Sequence, residues 1–255
     1  MSAGAFTAPA IALKHAPPPV KHVTLVLTRY PLDEFIYDPA TGENVDDVDN
    51  LNPEERLQLY RAPRGQPRTR VSGHWGTMMM IVGPQITYAS FTPRPPYNWR
   101  QGERTEEMDL AGRKLHLCRT GADIESTKLF TTVERYRTDS GQLNEWGFGY
   151  VRMVSREEPY GLRNEPGNPV VKKYLRRGNG ACIRVLGGAT AQQRAILIHD
   201  APHVGFVIGC IGPRPWNDRR AYPNVANNPS DRAVQEIMAQ LAMAQGKGTL
   251  YVLRS

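Results

Sequence analysis

The sequence predicts a mainly β domain with one substantial helix near its C-terminus, an α+β chain. Three observations lead there. After Gly112, short runs rich in β-branched and aromatic residues recur between turn residues. Only the segment from Asp231 onward repeats its apolar residues at convincing helical spacing. Residues 1–20 are rich in Ala and Pro and end in Pro17-Pro18-Pro19, an extended tail that cannot pack into a core.

The first strand is read from His22 to Tyr30, where Val23, Leu25 and Leu27 alternate with Thr24, Val26 and Thr28. From Tyr37 to Pro67 the chain reads mostly as loop, with Asp38-Pro39, Thr41-Gly42 and Arg64-Gly65-Gln66-Pro67 as breakers. A short helix from Pro53 to Tyr60, capped by Asn52, is the one regular element expected there. The run Asp46-Asp47-Val48-Asp49 alternates like a calcium loop but lacks its glycine and distal glutamate, so a solvated loop is expected and no metal. Trp75 to Phe91 reads as one or two strands broken at Gly83-Pro84, then a turn through Pro93, Pro95 and Pro96. The aromatics Trp75, Tyr88, Phe91, Tyr97 and Trp99 are read as core residues, with a stacking platform for bases or sugars as the sharper alternative.

Further strands are expected at Lys114–Arg119, Thr127–Tyr136, Trp146–Val154, Ala181–Leu186 and Ala195–His199. Asn228-Pro229-Ser230 caps the helix, whose positions Val234, Ile237, Met238, Leu241 and Ala242 follow helical spacing. Met238 and Met243 are read as core, Gly246 stops the helix, and Thr249–Leu253 forms a last strand. The change of texture divides the chain into a tail (1–20), an N-terminal β and loop region (21–111), read as a delivery or recognition region or as a long insertion between the first strand and the rest of the same sheet, and a C-terminal domain (112–255).

With 255 residues, 40% hydrophobic and 22% charged, the chain can bury a sizeable core without staples. Its longest apolar runs, Thr77–Val82 and Phe206–Ile211, fall far below the roughly 20 residues of a membrane span, so none is expected. A net charge of +7 suits an anionic partner, or serves solubility alone. Cys118, Cys182 and Cys210 are odd in number and widely spaced, so at least one thiol should be free. No basic stretch precedes the first apolar residues, so a secretory signal peptide is not expected. Dinucleotide, P-loop and HExxH motifs are missing, so neither a nucleotide cofactor nor catalytic zinc is expected.

One constellation can carry chemistry. Ile196-Leu197-Ile198-His199 is an apolar strand ending on a histidine, and Gly209-Cys210-Ile211-Gly212 follows within a loop's length. An imidazole within reach of a thiol can take its proton and make the thiolate nucleophile of an acyl transfer. Gly209 would let substrate approach closely and leave backbone N–H groups for an oxyanion. Asp200 and His203 are candidates for orienting the imidazole or binding substrate. The plainer reading is a buried structural cysteine beside a core histidine.

The stretch from Ile196-Leu197-Ile198-His199 to Gly209-Cys210-Ile211 resembles the His-to-Ser-x-Gly-Cys signature of L,D-transpeptidase catalytic domains, and more closely a group of bacterial and phage domains that carry ILIH and a later GC at this spacing. The similarity extends over roughly 112–255 and implies an L,D-transpeptidase-like β-sandwich or barrel there. It implies that Cys210 is the nucleophile and His199 its base, with N–H groups near Gly209 and Cys210 holding the oxyanion. The implied substrate is a peptidoglycan stem peptide, and the implied activity L,D-carboxypeptidase or L,D-transpeptidase. Where the family has Ser or Thr this chain has Ile208, and where it has Arg after Gly-Cys-Ile this chain has Gly212, with Arg214 as the candidate substitute for binding substrate. Similar domains act as wall-targeting toxins delivered by type VI secretion. That implies secretion machinery and a cognate immunity protein as partners, and action in the periplasm of a target cell. The alternative expectation is a non-catalytic cell-wall-binding or phage- or secretion-associated structural module. A basic nucleic-acid-binding domain is the least favoured reading, and nucleic acid is not the expected partner.

Overall fold

The structure is a computed structural model and describes residues 21–39, 41–45, 71–134, 148–155, 181–186, 196–207, 210–222 and 228–253. It is mainly β with one C-terminal helix. The strands are β1 (His22–Asp38), β2 (Glu43–Val45), β3 (Val71–Gly83), β4 (Gln85–Ser90), β5 (Arg104–Leu110), β6 (Arg113–Thr120), β7 (Ser126–Glu134), β8 (Phe148–Ser155), β9 (Ala181–Leu186), β10 (Leu197–Ile198), β11 (Ile211–Pro215) and β12 (Lys247–Leu253). The helix α1 spans Pro229–Met243.

The larger sheet runs β12-β8-β9-β10-β11-β7-β3-β1-β2, and β12 also pairs with β1, in parallel from Thr24↔Thr249 to Thr28↔Leu253. This second pairing closes the sheet into a barrel, with β2 hanging from the far end of β1. Which face is inside follows from the core. Leu25, Met78, Phe130, Ile211, Ile198, Ile183, Val151 and Leu250 come from all eight barrel strands, yet form one buried cluster. Only the inner face of a closed ring brings alternate residues of every strand together.

The helix packs its apolar face onto that cluster. Ala233, Val234, Ile237, Met238 and Leu241 join the same cluster, and each large aliphatic among them contributes about 1.5–3 kcal/mol by burial. Asn228 caps the helix by accepting the Asp231 N–H at 3.0 Å, Pro229 opens its first turn, and the Gly246 N–H donates to Leu241 O at 2.7 Å with φ +74°. Met238 is core as expected. Met243 is 55% exposed, because it falls on the solvent side of the last turn.

The outer face has two covers. Val26, Met79, Ile81 and Tyr251 lie beneath a three-stranded sheet, β4-β6-β5, which presents Ile86, Ala89, Leu110, Leu115 and Leu117 to them. Phe35, Trp75, Val133, Cys182, Leu197 and Cys210 lie beneath residues 199–207, through Ala201, Val204 and Val207.

Several expectations change. The division at residue 112 does not divide the barrel, because β1 and β3 pair with β12 and β7 along their length. Turn spacing is a local signal, and barrel closure joins residues more than 200 positions apart. The first strand runs on past Tyr30 to Asp38, and residues 43–45 of the expected loop pair with it. Among the described residues 196–199 of the Ala195–His199 segment, Leu197–Ile198 enter the ladder. β5 was not expected, since Arg104-Thr105-Glu106-Glu107 carries little β propensity. Nor was β11, which holds Pro213 and Pro215. Beyond Ile211 that strand pairs on one side only, with β7, so prolines are tolerated there. The break at Gly83-Pro84 stands, with Gly83 at φ +126°. The tail, the acidic run, the Pro53–Tyr60 helix, Ile208 and Gly209 lie outside the described residues. No described helix is long and apolar enough to cross a membrane.

Candidate active site

His199 and Cys210 flank one strand pair. β10 and β11 are parallel, with Ile198 opposite Ile211, and the His199 N–H donates to Ile211 O at 3.1 Å. Ile198 and Ile211 point into the barrel, so Leu197, His199 and Cys210 belong to its outer face. Leu197 is level with Cys210, and His199 is the next residue along that face, diagonal to the cysteine.

The tautomer of His199 follows from its neighbour. Nδ1 lies 2.7 Å from the carbonyl oxygen of Asp200, which can only accept, so in the neutral ring Nδ1 carries the proton and Nε2 holds the lone pair. Asp200, a candidate for orienting the imidazole, is beside it through its main chain. Both members of the pair are buried: His199 is 2% exposed and Cys210 6%.

The segment after His199 is held on every side. The Ala201 N–H donates to Ser230 Oγ at 2.8 Å, and that hydroxyl donates to Pro213 O at 2.6 Å. Arg214 Nη2 donates to the carbonyls of Ala201 and Pro202, both at 2.7 Å, and Nη1 donates to Arg220 O. The guanidinium lies between Trp75 and Tyr222, 5.5 and 5.6 Å from the ring centroids. Arg214 is 0% exposed, and burial pushes its pKa down to about 10, so it stays cationic at neutral pH. In this structure Arg214 is spent on the covering loop.

Two glycines make room for that loop. A Cβ on Gly212 would lie 2.3 Å from Ala201 Cβ and 2.8 Å from Val133 Cγ1; a Cβ on Gly73 would lie 2.4 Å from Val204 Cγ2 and 2.7 Å from Phe35 Cζ. The space that a side chain at position 212 would need is therefore filled by Ala201 and Val133.

His203 is a half-buried neighbour of this region. Its ring stacks on Tyr37 at 4.1 Å and meets Phe206 edge-on at 4.6 Å. Its Nδ1 accepts the Gly205 N–H at 3.2 Å, so the neutral ring carries its proton on Nε2. Burial, then the charge of Arg214, pushes its pKa down to about 4.

Sequence reading missed Cys182. Continuing the β9–β10 register from Ile198↔Ile183 sets Cys182 opposite His199, on the outer face. Burial, then the neighbouring Cys210, pushes its thiol up to about 12, with Arg184 opposing. β10 lies between the two cysteine strands, so two strand spacings of about 4.8 Å separate them, beyond disulfide reach. None of the three cysteines forms a disulfide. The signal that finds Cys182 is the register, which needs the fold. No family model, curated protein or solved structure matches the chain.

Proposed function

We propose that this protein is a cysteine-dependent enzyme acting on peptidoglycan stem peptides, an L,D-carboxypeptidase or L,D-transpeptidase on an L,D-transpeptidase-like barrel. What supports the reading is that His199 follows β10 and Cys210 precedes β11, its parallel neighbour, with His199 Nδ1 hydrogen-bonded to the Asp200 carbonyl. In this mechanism Nε2 takes the Cys210 thiol proton and the thiolate sulfur attacks the peptide carbonyl. The tetrahedral oxyanion collapses to a thioester, and the departing amine takes the proton from the imidazolium. Water or a second amine then attacks the thioester, giving hydrolysis or a cross-link, and the sulfur leaves as the thiol. Wall peptides place this action in the cell-wall compartment.

A second reading, a non-catalytic module of the same fold, is favoured by one observation: the loop that covers Cys210 is seated on Gly73 and Gly212. Incubating wild type, Cys210→Ala and His199→Asn with tetrapeptide muropeptides, followed by mass analysis, separates the two. The enzyme reading expects loss of the terminal residue or new cross-links in wild type, none with Cys210→Ala, and about 100- to 10,000-fold slower turnover with His199→Asn. Unchanged muropeptides with folded wild type leave the binding module as the function.

A further inference from the structure

A second site lies on the three-stranded sheet, outside the cluster that contains Cys210. Register sets Tyr88, Cys118 and Thr105 in one row across β4, β6 and β5, and Ser90, His116 and Glu107 in the next. Leu115 and Leu117 face the barrel, so these rows face away from it. The turn from Pro93 to Trp99 folds over them, enclosing a groove of about 390 Å³ lined by Tyr88, Arg94, Trp99, Thr105, Glu107 and His116, among others. That volume lies in the range of small-ligand sites. Of the five aromatics named as a platform, Trp75 is core and Phe91 packs on the core beneath the Arg113 guanidinium. Tyr88 and the 41% exposed Trp99 line the groove.

The groove is built rather than incidental. Glu103, whose side chain is fully buried, accepts from Thr87 Oγ1 at 2.6 Å, from Arg94 Nη1 at 2.5 Å and from the Arg100 N–H at 3.0 Å. One carboxylate thus ties both ends of the Trp99 turn to the sheet. The Tyr88 hydroxyl adds a bond to Thr92 O at 2.8 Å.

Charge narrows the occupant. Each lining ion is already paired: Arg94 with Glu103, Glu106 with Arg119 at 2.9 Å, and Glu107 with Lys114 at 3.2 Å. The groove is locally balanced although the chain as a whole is basic, so a polyanion gains little there. A cation would meet Arg94, which lies 5.7 Å from the Tyr88 centroid. What remains is a neutral ligand with an apolar face for Trp99 and Tyr88 and hydroxyl or amide groups for Thr105, Glu107 and His116.

We infer that this groove binds a neutral pyranose unit of a glycan chain. The C–H face of the ring stacks on Trp99, and its rim exchanges hydrogen bonds with Glu107, His116 and Thr105. The inference does not rest on the thiol chemistry, since no groove residue belongs to the Cys210 cluster.

The test is titration of the full chain, by calorimetry and tryptophan fluorescence, with β-1,4-linked tetramers of N-acetylglucosamine, glucose and mannose, and with a single-stranded oligodeoxynucleotide. Saturable binding of at least one sugar is expected, weakened about tenfold or more by Trp99→Ala, by the loss of one stacking ring, and also by Glu107→Gln. Both residues are exposed, so unchanged urea midpoints will show that the variants fold. Cys210→Ala should bind normally, which separates this site from the catalytic reading. No saturable binding of any of the three sugars to about 10 mM, sugar binding indifferent to Trp99→Ala, or oligonucleotide binding abolished by Trp99→Ala would each overturn the inference.

Discussion

Arg214 and Ala201 are joined at 2.7 Å, guanidinium to carbonyl, thirteen residues apart and across the face that carries Cys210. Through this bond and its neighbours the backbone following His199 is fixed by a fully buried cation. Replacing Arg214 with Met keeps much of the volume but leaves the carbonyls of Ala201, Pro202 and Arg220 without this donor. Each buried unsatisfied group costs about 1–3 kcal/mol, so urea unfolding should show a total loss of roughly 3–5 kcal/mol. Lys at this site should rescue little, since a point charge cannot fork between two carbonyls. A loss below about 1 kcal/mol would mean the clamp is not structural.

Gly212→Ala tests the seating of the loop. The added methyl meets Ala201 Cβ and Val133 Cγ1 at distances no relaxed structure tolerates, so about 1–3 kcal/mol of stability should be lost. Gly73→Ala should behave alike against Val204 and Phe35. If both variants unfold at the wild-type urea midpoint, the loop does not sit on these glycines.

His203 should make stability depend on pH in a defined window. Its folded pKa of about 4 lies below the ordinary 6.5, so between these values the unfolded chain binds a proton that the folded chain refuses. This contribution is present in full above about pH 6.5 and falls away as the pH drops toward 4. His203→Phe keeps a ring against Tyr37 without a titrating nitrogen, and should flatten this part of the curve of unfolding midpoint against pH. Parallel wild-type and variant curves would refute the assignment.

Glu103 sets a lower window. Burial alone would raise its pKa, but hydrogen bonds from Thr87, Arg100 and Arg94, with the charge of Arg94, bring it down to about 2. Its contribution is present above the unfolded value of about 4.5 and is lost as the pH falls through 2. Glu103→Gln should remove that acid-side slope, and it should detach the Trp99 turn, seen as a shift in tryptophan emission. An unchanged emission spectrum with Glu103→Gln would show that the carboxylate does not hold the turn.

Cys182 should resist alkylation. With its thiol pushed up to about 12 it holds almost no thiolate at pH 8, so iodoacetamide followed by peptide mass mapping should leave Cys182 unmodified in the folded chain. Rapid labelling of Cys182 under native conditions would mean that β9 opens readily.

The mainly β class, the strands at Lys114–Arg119 and Ala181–Leu186, and the Asn228 cap, apolar stripe and Gly246 stop of the helix were legible in the sequence, because turn chemistry and side-chain period are local properties. The nearness of His199 and Cys210 in the chain was legible only as spacing. That the two share a face depends on β10 and β11 running parallel from Ile198 and Ile211. The sequence by itself determined the mainly β class, several of the strands, the helix and which residue types could do chemistry. Barrel closure through β1 and β12, the setting of Cys182 opposite His199, the burial of Arg214 beneath the loop and the folding of Trp99 over β6 were decided by tertiary structure alone. Each depends on register between segments distant in the chain, and register is set by which apolar faces can be buried together.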